Sequence, residues 1–216
     1  METVISALFD FDGVVVDTEP QYSRFWHKIG TEHLGMDNFD ALIKGQTLTS
    51  IYDRYFPGQE ELQSHITAAL LDFERNMDYV YVPGVREFVT DLRLHGVKTA
   101  VVTSSNADKM EAVYRHRPEI RTMFDRIFIS EDFSRSKPDP DCYLLGMHTF
   151  GATPDTTYVF EDSFNGLQAG MSSGATVIGL STTNAVDAIA PLCHHVIADF
   201  TGMDYNRLMQ LSKIDQ

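Results

Sequence analysis

Short apolar runs recur along the chain, and each ends in small polar or acidic residues. Val4-Ile5-Ser6-Ala7-Leu8-Phe9 runs into Asp10-Phe11-Asp12-Gly13. Val97 to Val102 ends in Thr103-Ser104-Ser105-Asn106, and Arg126 to Ile129 in Ser130-Glu131-Asp132. Thr157 to Phe160 leads to Glu161-Asp162-Ser163, and Ala175 to Leu180 to Ser181-Thr182-Thr183-Asn184. Runs this short, with β-branched and aromatic residues, predict buried strands that exit into turns.

Between these runs the spacing becomes helical. Val85, Phe88, Val89 and Leu92 recur before His95-Gly96, a C-terminal stop. Shorter helices are predicted over 108–114, 141–150 and 164–174, with a closing helix from Tyr205 to Ile214. Strands alternating with helices imply right-handed βαβ units, and so an α/β fold: a doubly wound, Rossmann-like parallel sheet. Residues 18–82 break this rhythm. Phe25-Trp26, Ile29, Leu34, Ile51, Tyr55, Phe56, Leu62, Ile66, Leu70 and Phe73 form a helical pattern with no convincing strand. The expectation is a core of residues 1–17 and 83–216 with an inserted α-helical cap domain over 18–82. Phe25 and Trp26 are expected in the core of that insert.

Composition narrows the function classes. The 216 residues hold 17 Lys and Arg against 31 Asp and Glu, a net charge of −14. Nucleic acids and anionic membranes need a basic face, so neither is an expected partner. No stretch offers about 18 consecutive apolar residues, so no membrane span is expected. Met1-Glu2-Thr3 starts no secretory leader, and two cysteines make no disulfide framework, so a cytoplasmic protein is expected, and a monomer besides. Cys193-His194-His195 is a poor zinc site, because adjacent ligands suit tetrahedral geometry badly.

In a doubly wound sheet, ligands bind beyond the carboxyl ends of the strands. Those ends carry Asp10, Asp12, Thr103, Ser104, Glu161 and Asp162, with Lys137 in the loop Ser136-Lys137-Pro138-Asp139-Pro140. Packed carboxylates repel unless a cation intervenes, and a hard divalent ion such as Mg²⁺ accepts oxygen ligands. Asp10 is the candidate nucleophile, able to attack phosphorus and form an aspartyl-phosphate. Asp12 is the candidate acid and base for the leaving oxygen and the water. Gly13, Thr103, Ser104, Asn106 and Lys137 are the candidate phosphate-binding residues, and Asp10 and Asp162 the candidate metal residues. Thr103 has a blander alternative as a helix N-cap at the strand exit.

Four segments in this order resemble the haloacid dehalogenase superfamily of phosphotransferases over nearly the whole chain. Asp10-Phe11-Asp12-Gly13-Val14 matches its first motif and Val101-Val102-Thr103 its second. Lys137-Pro138 with Asp139-Pro140 matches the third, and Glu161-Asp162-Ser163-Phe164-Asn165-Gly166 the acidic fourth. The helical insert resembles the cap of the branch that holds β-phosphoglucomutase and sugar-phosphate phosphatases. That resemblance implies Mg²⁺ held by the nucleophile Asp10, the carbonyl of the second Asp, Asp12, and the fourth-motif acids Glu161 and Asp162. It implies a phosphatase acting on a small phosphorylated metabolite, sugar phosphates first, with a phosphomutase as the alternative. The mutase pattern carries a His and a cap Arg where this chain has Tyr22 and Leu48. Neither replacement suits the mutase role, although Arg54 and Arg75 could substitute. A receiver domain needs no such insert, and haloacid dehalogenation needs neither Asp12 nor Mg²⁺.

Overall fold

A computed structural model describes residues 3–44 and 46–211. The chain forms two compact units. One runs up to Asp17 and resumes at Tyr79; the other is Thr18–Asp78. The return to the first unit precedes Pro83 because residues 79–82 already pair with its opening segment. The Asp17 N–H donates to the Val80 carbonyl and the Val82 N–H to that of Val15.

In chain order the elements are β1 (Ser6–Phe9), α1 (Glu19–Ile29), α2 (Phe39–Ile43), α3 (Leu48–Tyr55), α4 (Glu60–Arg75) and α5 (Val85–Leu94). Then come β2 (Lys98–Val102), α6 (Ala107–His116), α7 (Ile120–Met123), β3 (Arg126–Phe128) and α8 (Asp141–Phe150). The chain ends with β4 (Thr157–Glu161), α9 (Phe164–Ser172), β5 (Thr176–Leu180), α10 (Val186–Ile189), β6 (His195–Ile197) and α11 (Tyr205–Gln210). The last part of the predicted closing helix, residues 212–214, lies outside the described residues.

The six strands form one parallel sheet in the order β3-β2-β1-β4-β5-β6. Such a sheet is covered on both faces, and alternate side chains serve each face. Leu8, Ala100, Val159 and Val177 pack with Tyr143 and Met147 of α8 and Leu167 of α9. The other face is aromatic: Phe9 stacks on Phe160 at 4.6 Å, and Phe88 of α5 and Phe200 close around them. Register then aligns the strand ends. Phe9 lies opposite both Val101 and Phe160, so Asp10, Thr103 and Glu161-Asp162 emerge at one edge.

The sixth strand was not expected from the sequence. His195-Val196-Ile197 is too short to show a period by itself, and it exists by pairing in parallel with Ile178 to Leu180. The neighbouring histidine is structural: Nδ1 of His194 accepts the Val177 N–H at 2.9 Å.

The helical unit has its own core. Trp26, Ile29, Phe39, Ile43, Ile51, Phe56 and Ile66 are buried together, with Phe25 and Leu48 packed against them. Pro20 suits the first turn of α1, where no N–H is needed, and Glu19 at its start and Lys28 near its end suit the helix dipole. Thr47 caps α3 by accepting the Ser50 N–H at 3.2 Å. Among the described residues no helix is long and apolar enough to cross a membrane.

Candidate active site

The strand ends converge on three carboxylates. Asp10, Glu161 and Asp162 each offer an oxygen, and these atoms lie within 4.8 Å of one another. Lys137 is driven between two of them. Its Nζ donates to Asp10 Oδ1 at 2.6 Å, to Glu161 Oε1 at 2.7 Å and to the Val102 carbonyl at 3.0 Å. The lysine reaches this position from the loop before α8, across a cis Lys137–Pro138 peptide.

Glu161 is fully buried and saturated with donors. Besides Lys137, its Oε1 accepts the Tyr143 hydroxyl at 2.6 Å. Its Oε2 accepts the Asp162 and Ser163 N–H groups and the Ser163 hydroxyl. Ser163 also caps α9, its Oγ accepting the Gly166 N–H at 3.1 Å. A Cβ on Gly166 would collide with the Glu161 carboxylate. The Glu-Asp-Ser-x-x-Gly spacing is thus the local solution for burying an acid beneath a helix N-terminus.

Asp162 differs. Its Oδ2 accepts a short hydrogen bond from the Thr183 hydroxyl, while the buried Oδ1 has no hydrogen-bond partner. Buried polar atoms are rarely left so, and a cation would satisfy this one. Electrostatics point the same way. Burial, with Glu161 and Asp12 adding to it and Lys137 opposing, pushes the Asp10 carboxyl from its ordinary 3.8 up to about 7. Burial beside Asp10 and Glu161 also raises Asp162 well above the usual carboxylate range. For Lys137, burial disfavours the charge, but Asp10 and Glu161 outweigh it and hold the ammonium above its ordinary range. The donor set is all carboxylate oxygen, crowded and partly unsatisfied, and therefore fits a hard divalent cation such as Mg²⁺.

The remaining candidates are placed as follows. Gly13 takes a positive φ of 77°, and a Cβ there would strike Asp162 Oδ2. The Asp12 Oδ2 accepts Lys109 Nζ at 2.5 Å and Ser105 Oγ at 3.2 Å. Thr103 is buried, and its Oγ1 accepts the Ser105 N–H at 3.0 Å. The N-cap of α6 is Asn106, whose Oδ1 accepts the Lys109 N–H at 3.0 Å. Ser104 is exposed at the same strand exit.

Sequence reading missed two groups. One is Ser105 and Lys109, which hold Asp12. The other is the turn after β5: Thr182 donates to the Gly13 carbonyl at 2.6 Å, Thr183 to Asp162, and Asn184 to the Asp162 carbonyl at 2.9 Å. The signal for the turn was present, since Ser181-Thr182-Thr183-Asn184 ends a strand just as the other site segments do. Lys109 gave no comparable signal.

Comparison with known proteins places the chain in a family. The family model for haloacid dehalogenase-like hydrolases matches residues 7–180. Hexitol phosphatase A of Escherichia coli is 28% identical over 186 residues, covering 81% of this chain and 82% of that protein. The phosphorylated carbohydrates phosphatase of Thermotoga maritima is 27% identical over 190 residues, with 81% and 82% covered. In three dimensions, a family IA hydrolase of this type from Entamoeba histolytica superposes with a TM-score of 0.81 at 20% identity, covering 96% of this chain and 99% of that one. A β-phosphoglucomutase from Clostridium difficile gives 0.73 at 18% identity, with 96% of each chain covered. These structures share the fold, and the family-model match over residues 7–180 means that the chain belongs to the haloacid dehalogenase-like hydrolase family.

Proposed function

We propose that this protein is a Mg²⁺-dependent phosphatase that hydrolyses a small phosphorylated metabolite, a sugar or polyol phosphate, through an aspartyl-phosphate. The observation that carries the reading is the Asp10–Lys137–Glu161 chain beside the unsatisfied Oδ1 of Asp162. Asp10 and Asp162 would hold the ion, with the Asp12 carbonyl. Glu161, already engaged on both oxygens, serves mainly to fix Lys137. When bound, the ion supplies positive charge that offsets the carboxylates and orients the phosphoryl group.

Asp10 attacks phosphorus, and the bond from phosphorus to the leaving oxygen breaks. Asp12 gives that oxygen a proton, then takes one from the water that cleaves the aspartyl-phosphate. Lys137 offers charge to the phosphoryl oxygens, and Thr103 with Ser104 and the backbone at Gly13 line the approach. Asn106 contributes by capping α6.

The helical unit favours hydrolysis of a monophosphate over mutation. It contains a cavity of about 240 Å³ lined by Glu19, Tyr22, Asp40, Lys44, Gln46 and Leu48, among others. Lys44, its one cation among the described lining residues, is paired with Glu19 at 3.0 Å. The Tyr22 hydroxyl donates to Glu74, Leu48 packs into the core, and Arg54 is exposed over the Tyr55 ring. Two carboxylates and a neutralised lysine suit hydroxyl groups better than a second phosphate. The named relatives act on hexitol and carbohydrate phosphates, which supports the same substrate class. Buried free thiols at Cys142 and Cys193 suit a reducing compartment such as the cytoplasm.

The test is release of inorganic phosphate from a panel of sugar phosphates, polyol phosphates, nucleotides and pyrophosphate, with Mg²⁺ and with chelator. Conversion of β-glucose 1-phosphate to glucose 6-phosphate is followed in parallel. Metal-dependent release from a sugar or polyol monophosphate is expected. Isomerisation exceeding release by about tenfold would replace the phosphatase with a mutase, and full turnover in chelator would remove the metal.

A further inference from the structure

Lys109 is out of place by two physical measures. It lies in the first turn of α6, where the helix dipole disfavours a cation. Its side chain is only 8% exposed, although burial of an ammonium is costly unless a partner offsets it. The partner is Asp12, at 2.5 Å from Lys109 Nζ. Ser105, at the same strand exit, donates to the same Asp12 oxygen at 3.2 Å. Both donors come from the exit of β2 and the start of α6, and Asp12 is not among the three acids whose oxygens lie within 4.8 Å of one another. Asn106 fixes the helix end that presents the lysine, since its side chain accepts the Lys109 N–H.

We propose that Lys109 is a positioning residue for the acid–base group: it holds the Asp12 carboxylate in the orientation from which a proton reaches the leaving oxygen. Lys109 acts through Asp12 and touches neither substrate nor ion. The inference rests on the proposed phosphatase reading, and it assigns a role to a residue outside the four sequence motifs.

The consequence depends on the leaving group. A sugar or polyol oxygen departs poorly without a proton, whereas 4-nitrophenolate departs unaided, so only the first needs a well-placed acid. In Lys109→Met, kcat/KM for the best sugar phosphate of the panel is expected to fall by at least about tenfold. For 4-nitrophenyl phosphate the fall should stay under about threefold. Lys109→Arg should recover most of the loss, because it restores a cationic donor. Equal losses on both esters, or no loss on either, would overturn the proposal.

A second readout needs no turnover. In a crystal structure of the Lys109→Met protein, the Asp12 carboxylate should have left its position beside Ser105; an unmoved carboxylate would overturn the proposal. If the wild type hydrolyses neither ester, the phosphatase reading fails, and the Asp12 position still decides the role of Lys109. Lys109→Gln, which keeps a polar head, serves both measurements should the methionine variant not fold.

Discussion

Asp10 shows how much one atom governs at the scale of a residue. Its carboxylate accepts Lys137 and lies beside Glu161 and Asp162, so its charge is both used and contested. Asp10→Asn keeps the shape and an acceptor for Lys137 but removes the attacking anion. Phosphate release by this variant should drop by about two orders of magnitude or more. Its melting temperature in chelator should be no lower than the wild type's, since one of three crowded charges is gone. Turnover above about a tenth of wild type would exclude Asp10 as the nucleophile. The residue types of the site were legible in the sequence, because Asp-x-Asp-Gly, Thr103 and Glu161-Asp162 each follow an apolar run, and Lys137 stands in a proline-rich loop before a helix. Which acid does what was not. Only the packed site distinguishes Glu161, saturated by Lys137, Tyr143 and Ser163, from Asp162, which keeps an unsatisfied oxygen.

The junction of β4 and α9 works as one element. Glu161 ends the strand, Ser163 caps the helix while donating to Glu161, and Gly166 leaves room for the carboxylate above the first turn. Gly166→Ala inserts a methyl group into occupied space beneath a strand end that cannot retreat. It should lower stability by about 1–3 kcal/mol, as overpacked sites do. Gln168→Ala, exposed on the same helix, should change stability by less than about 0.5 kcal/mol. Chemical denaturation of both variants checks this; equal midpoints would show that the strand end yields. Five strands and the larger helices of the α/β unit were legible at this scale, since their periods are complete within each segment. β6 was not, because three residues carry no period and the strand depends on a neighbour. The turn after β5 was visible as a strand end, but its bonds to Gly13 and Asp162 span well over a hundred residues in one case and about twenty in the other.

For the whole molecule, the crowded acids tie stability to pH. The Asp10 carboxyl is raised from 3.8 to about 7 and Asp162 is raised too, so the folded chain resists losing protons that the unfolded chain gives up readily. Where the unfolded state binds fewer protons, stability falls as pH rises. The metal-free protein should therefore lose stability between about pH 4 and pH 7 through these groups. A divalent cation binds the ionised cluster and should reverse that loss. Thermal melts in chelator and in millimolar Mg²⁺ should show a larger Mg²⁺ gain at pH 8 than at pH 5.5, and Asp162→Asn should shrink the difference. A gain independent of pH would mean that the ion binds elsewhere.

Local pattern alone determined the α/β class, the interruption by a helical insert, and the acids and lysine that crowd one edge. Those features are written in short-range periodicity and in which residues follow each apolar run, so each segment states them by itself. Tertiary structure decided the rest. Strand register brought Asp10 level with Glu161, a buried lysine from α6 took hold of Asp12, and a turn near the far end of the sheet bonded back to Gly13 and Asp162. These are pairings between residues remote in sequence. Their energies depend on burial and on which partner is within reach, and neither exists until the sheet has assembled.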